Sequence, residues 1–275
     1  MVGVGFALQA LADFLVGEHC HACGNSIDRS RSLTAPAEGA AAALTTPLRV
    51  GSRYAGVDTH PLCRACCRRL VPLQAPVRIG NVHHDGSVSL QSGGLLPPPS
   101  RLSLRQEFDL SVWAAFETDD RLLAVVHALK FARRERLAPW LARALAFGLP
   151  AAALHQDEHE RVVAVPADRA SMRRRGFNQA ERLARAFAAE SGATFLPGAL
   201  IKARPTSPQS LLDGAARAHN VAGAFAVANN AEIRDRPVVL VDDLVTTGAT
   251  AAVCAAALYA AGAREVRVAC VGYRP

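Results

Sequence analysis

Residues 238–250 read Val-Val-Leu-Val-Asp-Asp-Leu-Val-Thr-Thr-Gly-Ala-Thr. An apolar β-branched run leads into two adjacent carboxylates, and a turn of hydroxyls around one glycine follows. The next residues, ATAAVCAAALYAAG (249–262), suit a helix that stops at Gly262, a residue able to close a C-terminus in the left-handed conformation. Strand, turn and helix in that order begin a right-handed parallel crossover. Ligands of such sheets sit beyond the carboxyl ends of the strands, where this stretch places its polar residues.

The chemistry of the turn is specific. A helix start offers unpaired backbone N–H groups and partial positive charge, both suited to a phosphate. Gly248 allows close approach of the backbone, Ala249 opens the helix, and Thr246, Thr247 and Thr250 add hydroxyl donors. The turn contains no lysine, which separates it from the common nucleotide-triphosphate loop, and the chain has no GxGxxG fingerprint. Asp242 and Asp243 would repel a phosphate at close range. They suit vicinal hydroxyls or a bound Mg²⁺ about one sugar's width away. The plainer alternative makes the aspartates helix caps and the threonines ordinary turn residues.

Working outward, VVAVP (162–166) and VRVACVG (266–272) have the composition of buried strands. Residues 179–191 place Ala180, Leu183, Ala184, Phe187 and Ala188 on one helical face and Glu181, Arg182 and Arg185 on the other. Apolar runs alternating with helical segments from residue 108 to 275 predict an α/β fold with a parallel sheet. Between them, RRRGFNQ (173–179) offers Arg173, Arg174 and Arg175, whose planar forks suit a diphosphate. Residues 202–225 are polar, as a loop closing over a ligand would be. Residues 125–143 form a basic helical stretch. Between 121 and 143 lie six basic residues and one acidic one, with Phe131 and Trp140 as candidate stacking rings, although such aromatics more often belong to the core.

Upstream, residues 1–75 hold five of the seven cysteines. Cys20-His-Ala-Cys23 and Cys63-Arg-Ala-Cys66 are two CxxC pairs, the spacing that turns two thiolates onto one tetrahedral ion. They predict a structural Zn²⁺ site, with redox dithiols as the alternative. Cys67 could replace Cys66 as the fourth ligand, His19 and His21 read as bystanders, and Cys254 and Cys270 read as core. The Gly-, Ser- and Pro-rich residues 76–107 are expected to be a linker, and APAEGAAAALTTP (35–47) an insertion. Leu8, Leu11, Ala12 and Leu15 fit a short amphipathic helix; without a basic flank, and with Asp13 inside it, the segment does not read as a signal peptide. No apolar run is long enough to span a bilayer, and the cysteine usage suits a reducing, cytoplasmic setting. The net charge of +7, from 31 Lys and Arg against 24 Asp and Glu, favours anionic partners.

The stretch 238–250 closely resembles the phosphoribosyl-diphosphate (PRPP) motif of type I phosphoribosyltransferases. With the cysteine pairs and the stretches 125–143, 173–188 and 202–225, the chain resembles the ComF family of competence-related, phosphoribosyltransferase-like proteins. The resemblance implies a zinc ribbon joined to a type I phosphoribosyltransferase fold. It also implies a part in handling internalised single-stranded DNA during natural transformation, beside competence helicase and recombination proteins. On it, Asp242 and Asp243 would hold the ribose hydroxyls and residues 246–250 the 5-phosphate, with Mg²⁺ accompanying PRPP. Two departures stand out: 39 residues separate the cysteine pairs, and the loop after Pro166 lacks the histidine-proline found in relatives. An active transferase, a nucleotide- or PRPP-binding protein and a PRPP sensor all remain compatible with the residues. Amidophosphoribosyltransferase activity is not expected, because a cysteine module stands where a glutaminase domain would.

Overall fold

The computed structural model describes residues 20, 22–24, 62–67, 69–73, 75–93, 95–96, 106–131, 137–148, 160–203 and 224–274. The expected N-terminal helix, His19, His21, the 35–47 insertion and most of the 202–225 loop lie outside them. So do the side chains of Cys67 and Phe131.

The centre of the fold is strand β9 (Pro237–Val245), flanked by β10 (Glu265–Tyr273) and β5 (Arg161–Ala164), all parallel. β4 (Phe108–Glu117) extends the parallel set beyond β10, and β6 (Thr194–Phe195) extends it beyond β5. These strands are apolar on both faces because both faces are covered, which explains their continuous β-branched runs. On one face lie α2 (Asp120–Phe131), α3 (Leu137–Gly148) and α5 (Gln179–Ser191), with Leu129, Leu141, Leu145, Leu183 and Phe187 fully buried. On the other lies α6 (Ala249–Ala260), nearly every residue of which is buried. Its small alanines let it sit tightly among the sheet and β8 (Phe225–Val227), which pairs antiparallel with β7 (Leu200–Lys202). The polar segment 202–225 therefore has its two ends clamped together as a ribbon. Helix α6 ends at Ala260 and Gly262 takes φ +93°, so the glycine closes the helix as expected.

The expected linker at 76–107 is not one. β1 (Val77–Val82), β2 (Val88–Leu90) and β3 (Leu95–Leu96) occupy its first part and extend the sheet in the order β3-β2-β1-β4-β10-β9-β5-β6. β1 pairs antiparallel with both β2 and β4. Just upstream, the Leu73 N–H donates to the Ala115 carbonyl at 3.2 Å and the Glu117 N–H to Val71 at 2.9 Å, so the join to the cysteine segment is also stitched to β4. Glycine and serine content hid a hairpin whose signal is Asp85-Gly86 between two short strands. Gly86 adopts φ +78°, and the Asp85 carboxylate accepts from the Ser87 N–H at 2.8 Å. Ile79, Val82, Val88 and Leu90 all reach the core beside α6, with a register shift between Arg78 and Gly80 in the pairing of β1 with β4.

Gly80 has no room for a side chain, since a Cβ there would stand 2.1 Å from the Ser89 carbonyl oxygen. Gly80→Ala is expected to lower stability by about 1–3 kcal/mol, the scale of an overpacked core position, and chemical denaturation monitored by circular dichroism measures it.

Candidate functional site

β5 and β9 run side by side, yet the helices that follow them go to opposite faces. After β5 the chain turns through α4 (Arg169–Arg175) into α5 on one face; after β9 it enters α6 on the other. The loops leaving the two strands therefore part, and a crevice opens between them at the carboxyl rim of the sheet, the ordinary place for a ligand in this class of fold. The pairing widens it. β5 is paired only as far as Ala164 opposite Val241, whereas β9 stays paired with β10 to Val245 opposite Tyr273. Asp242 and Asp243 thus stand on strand β9 itself, past the end of its shorter neighbour. They do not cap α6, whose N-cap is Gly248.

Each aspartate bends forward onto its own chain. The Asp243 N–H donates to the Asp242 carboxylate at 2.8 Å, and the Leu244 N–H donates to the Asp243 carboxylate at 2.9 Å. Asp243 is buried and ion-paired with the Lys130 ammonium of α2. Asp242 is partly exposed, and burial of its carboxyl together with the nearby Asp243 charge holds its pKa well above the usual carboxylate range. That repulsion is the mark of two carboxylates sharing one site.

The turn after the pair leads directly into α6. Gly248 takes φ +80° and is buried at the start of α6. A Cβ there would stand 2.7 Å from Ile79 Cδ1, so the β1–β2 hairpin holds the turn from behind. Thr246 is exposed, Thr247 and Thr250 are partly exposed, and Ala249 is buried.

Across the crevice, Asp168 caps α4, accepting from the Ser171 N–H at 2.8 Å and the Ser171 hydroxyl at 2.7 Å. Burial raises its pKa, but these bonds and the Lys202 charge outweigh that, and the net shift is downward. Gly176 closes α4 in the left-handed conformation, and Asn178 caps α5 while donating to the Val165 carbonyl at 2.9 Å. The run Gly176-Phe177-Asn178-Gln179 thus has an architectural role, joining two helices to the end of β5. The three arginines divide. Arg173 and Arg174 are exposed, whereas Arg175 is partly buried within electrostatic reach of Asp243 and Asp168.

Trp140 is buried in the α3 core, the commoner place for such a ring, and the Lys130 amine is ion-paired with Asp243. That ion pair joins residues more than a hundred positions apart, and no local spacing announces it.

No protein-family model matches the chain. It is similar to the DNA utilization protein YhgH of Escherichia coli K12, 33% identical over 156 residues. The proteins of that name from Salmonella typhi and Salmonella typhimurium are each 34% identical, over 159 and 152 residues. The match covers 54% of this chain and 66% of each relative, just under two thirds of their length.

The second site is the cysteine cluster. The sulfurs of Cys20, Cys23, Cys63 and Cys66 all lie within 4.8 Å of one another, and those of Cys23 and Cys63 are 3.8 Å apart. A tetrahedral zinc with bonds of about 2.3 Å requires sulfur separations of roughly 3.8 Å, so the four thiols fit a structural metal ion. Gly24 closes the first knuckle with φ +75°, its N–H donating to the Cys20 carbonyl at 2.8 Å. In the second, Cys63 directly precedes the short helix α1 (Arg64–Cys67) and Cys66 lies within it. Burial raises the Cys20 pKa, but N–H groups of Cys63, Cys23 and Ala22 favour the thiolate and bring it down to about 7. Burial and the neighbouring sulfurs push the Cys66 thiol upward. Among four thiols without a cation, one ionises first and suppresses the rest, and a dication removes that conflict.

Cys20 and Cys66 are buried in the same core as α2 and α3. Stripping the metal with a thiolate-competent chelator is therefore expected to release one zinc per chain and to lower Tm by about 5–10 °C, with Cys66→Ser matching the chelated protein. A dye assay for zinc and differential scanning calorimetry check both.

Proposed function

We propose that this chain takes part in DNA utilization, as the name of its relatives says of them, and that its sheet rim binds a phosphorylated pentose, with PRPP as the expected ligand. The observation that carries the reading is the crevice between β5 and β9. An acid pair stands on its floor, a glycine-led helix start lies next to it, and a partly buried arginine faces it. In this reading the hydroxyls of Thr246, Thr247 and Thr250 and the first N–H groups of α6 receive the 5-phosphate. Each such bond to a charged group contributes roughly 1.5–3 kcal/mol, so several anchor a monophosphate without a lysine in the turn. Asp242 and Asp243 keep lone pairs for the ribose hydroxyls. Arg175, with the exposed Arg173 and Arg174, receives the diphosphate, whose remaining charge Mg²⁺ would balance.

The DNA role draws on the names of the relatives and on the net charge of +7. The exposed arginines of α4 would add sequence-independent contacts to a strand's phosphates.

Isothermal titration with PRPP and Mg²⁺ tests the site. Binding is expected in the native protein and a loss of about tenfold or more in Asp242→Asn/Asp243→Asn, the scale of one or two charge-assisted contacts. Equal affinity in the two proteins would refute the assignment of the acid pair. Release of diphosphate over a panel of nitrogen acceptors, dependent on the same aspartates, would mark an active transferase.

A further inference from the structure

The acid pair already has a cation, and it is part of the chain. Asp243 is only 8% exposed, and Lys130, with its side chain 20% exposed, places its ammonium on that carboxylate from the last turn of α2. The Lys130 charge also stabilises ionised Asp242, opposing the burial and the Asp243 repulsion that raise its pKa. Two carboxylates confined in one partly buried notch need a countercharge, which either a bound divalent ion or a basic side chain supplies. Here the coordination space beside Asp243 is filled by an amine with three N–H donors.

We infer that Lys130 takes the place of a divalent metal ion at the pentose end of the site, so that the acid pair holds sugar hydroxyls without recruiting one. The ligand half of this inference rests on the pentose reading above; the cation half stands on the ion pair alone. Mg²⁺ carried by the diphosphate of PRPP is a separate matter, and ribose 5-phosphate, which lacks that diphosphate, isolates the acid pair from it. Lys130 is in this sense a positioning residue: it holds and orients the Asp243 carboxylate from α2.

The experiment uses the full chain and has two arms. In the first, Mn²⁺ alone is titrated into ligand-free protein and followed by electron paramagnetic resonance. The native protein is expected to take up no Mn²⁺ that depends on the acid pair. Lys130→Gln should gain one Mn²⁺ site, and adding Asp242→Asn/Asp243→Asn should abolish it. Lys130→Arg, which keeps the charge, should stay without the ion. Aspartate-dependent Mn²⁺ uptake by the native protein overturns the inference, as does no gain in Lys130→Gln. Lys130→Met, of similar volume and no charge, is the second neutral variant. If neither neutral variant folds, the pair is architectural only and the inference also fails. In the second arm, ribose 5-phosphate is titrated with and without Mg²⁺. Native affinity should be unchanged by Mg²⁺, and Lys130→Gln should lose about tenfold or more in its absence, the size of one charge-assisted contact, and recover when it is added. A native protein that binds no ribose 5-phosphate in either buffer sinks the pentose reading, while the Mn²⁺ arm still decides the role of Lys130.

Discussion

The mismatch in length between β9 and its neighbour β5 governs the rest of the structure. β9 is paired with β10 along its whole length, but with β5 only to Val241. The stretch of strand that results keeps one side in the ladder while the other has no strand partner, with Asp242 partly exposed and Asp243 buried. Carboxylates on a flexible loop would move apart under their own repulsion. On a half-paired strand they are held, each by the backbone N–H of the residue that follows it, and Asp243 also by Lys130. The divergence of α5 and α6 to opposite faces keeps the opening clear above them.

Other parts of the protein converge on that point. The β1–β2 hairpin supports the start of α6 through Ile79 against Gly248, and α2 delivers Lys130. The cysteine cluster shares its core with α2, α3 and β4, so a module that looks separate along the chain is continuous with the sheet in space.

Much of this was legible in the residues. β9, β10 and α5 follow from uninterrupted apolar runs and a clean helical period, and the glycine-led turn follows from its position after a strand. Two CxxC pairs announced four thiols able to meet. What stayed hidden had physical causes. The hairpin of β1 and β2 is short and rich in glycine and serine, so composition spoke for a linker while the Asp85-Gly86 turn spoke more quietly, and a register shift in β1 breaks the period between Ile79 and Val82. Lys130 lies in a basic run whose other members suit a solvated face, and its partner belongs to a strand distant in sequence. Arg173, Arg174 and Arg175 look equivalent on paper; only the pitch of α4 separates the partly buried Arg175 from its exposed neighbours.

The sheet also ends in an economical way. Its outermost members, β3 and β6, are two residues long each, Leu95–Leu96 at one margin and Thr194–Phe195 at the other, the latter with the Arg185 guanidinium 4.9 Å from the Phe195 ring centroid. A second chain seeking to add a strand would find almost no free backbone donors or acceptors to continue the ladder. Prolines follow both borders in the sequence, Pro97 directly after Leu96 and Pro197 two positions after Phe195, and a residue without an N–H gives a ladder nothing to continue on.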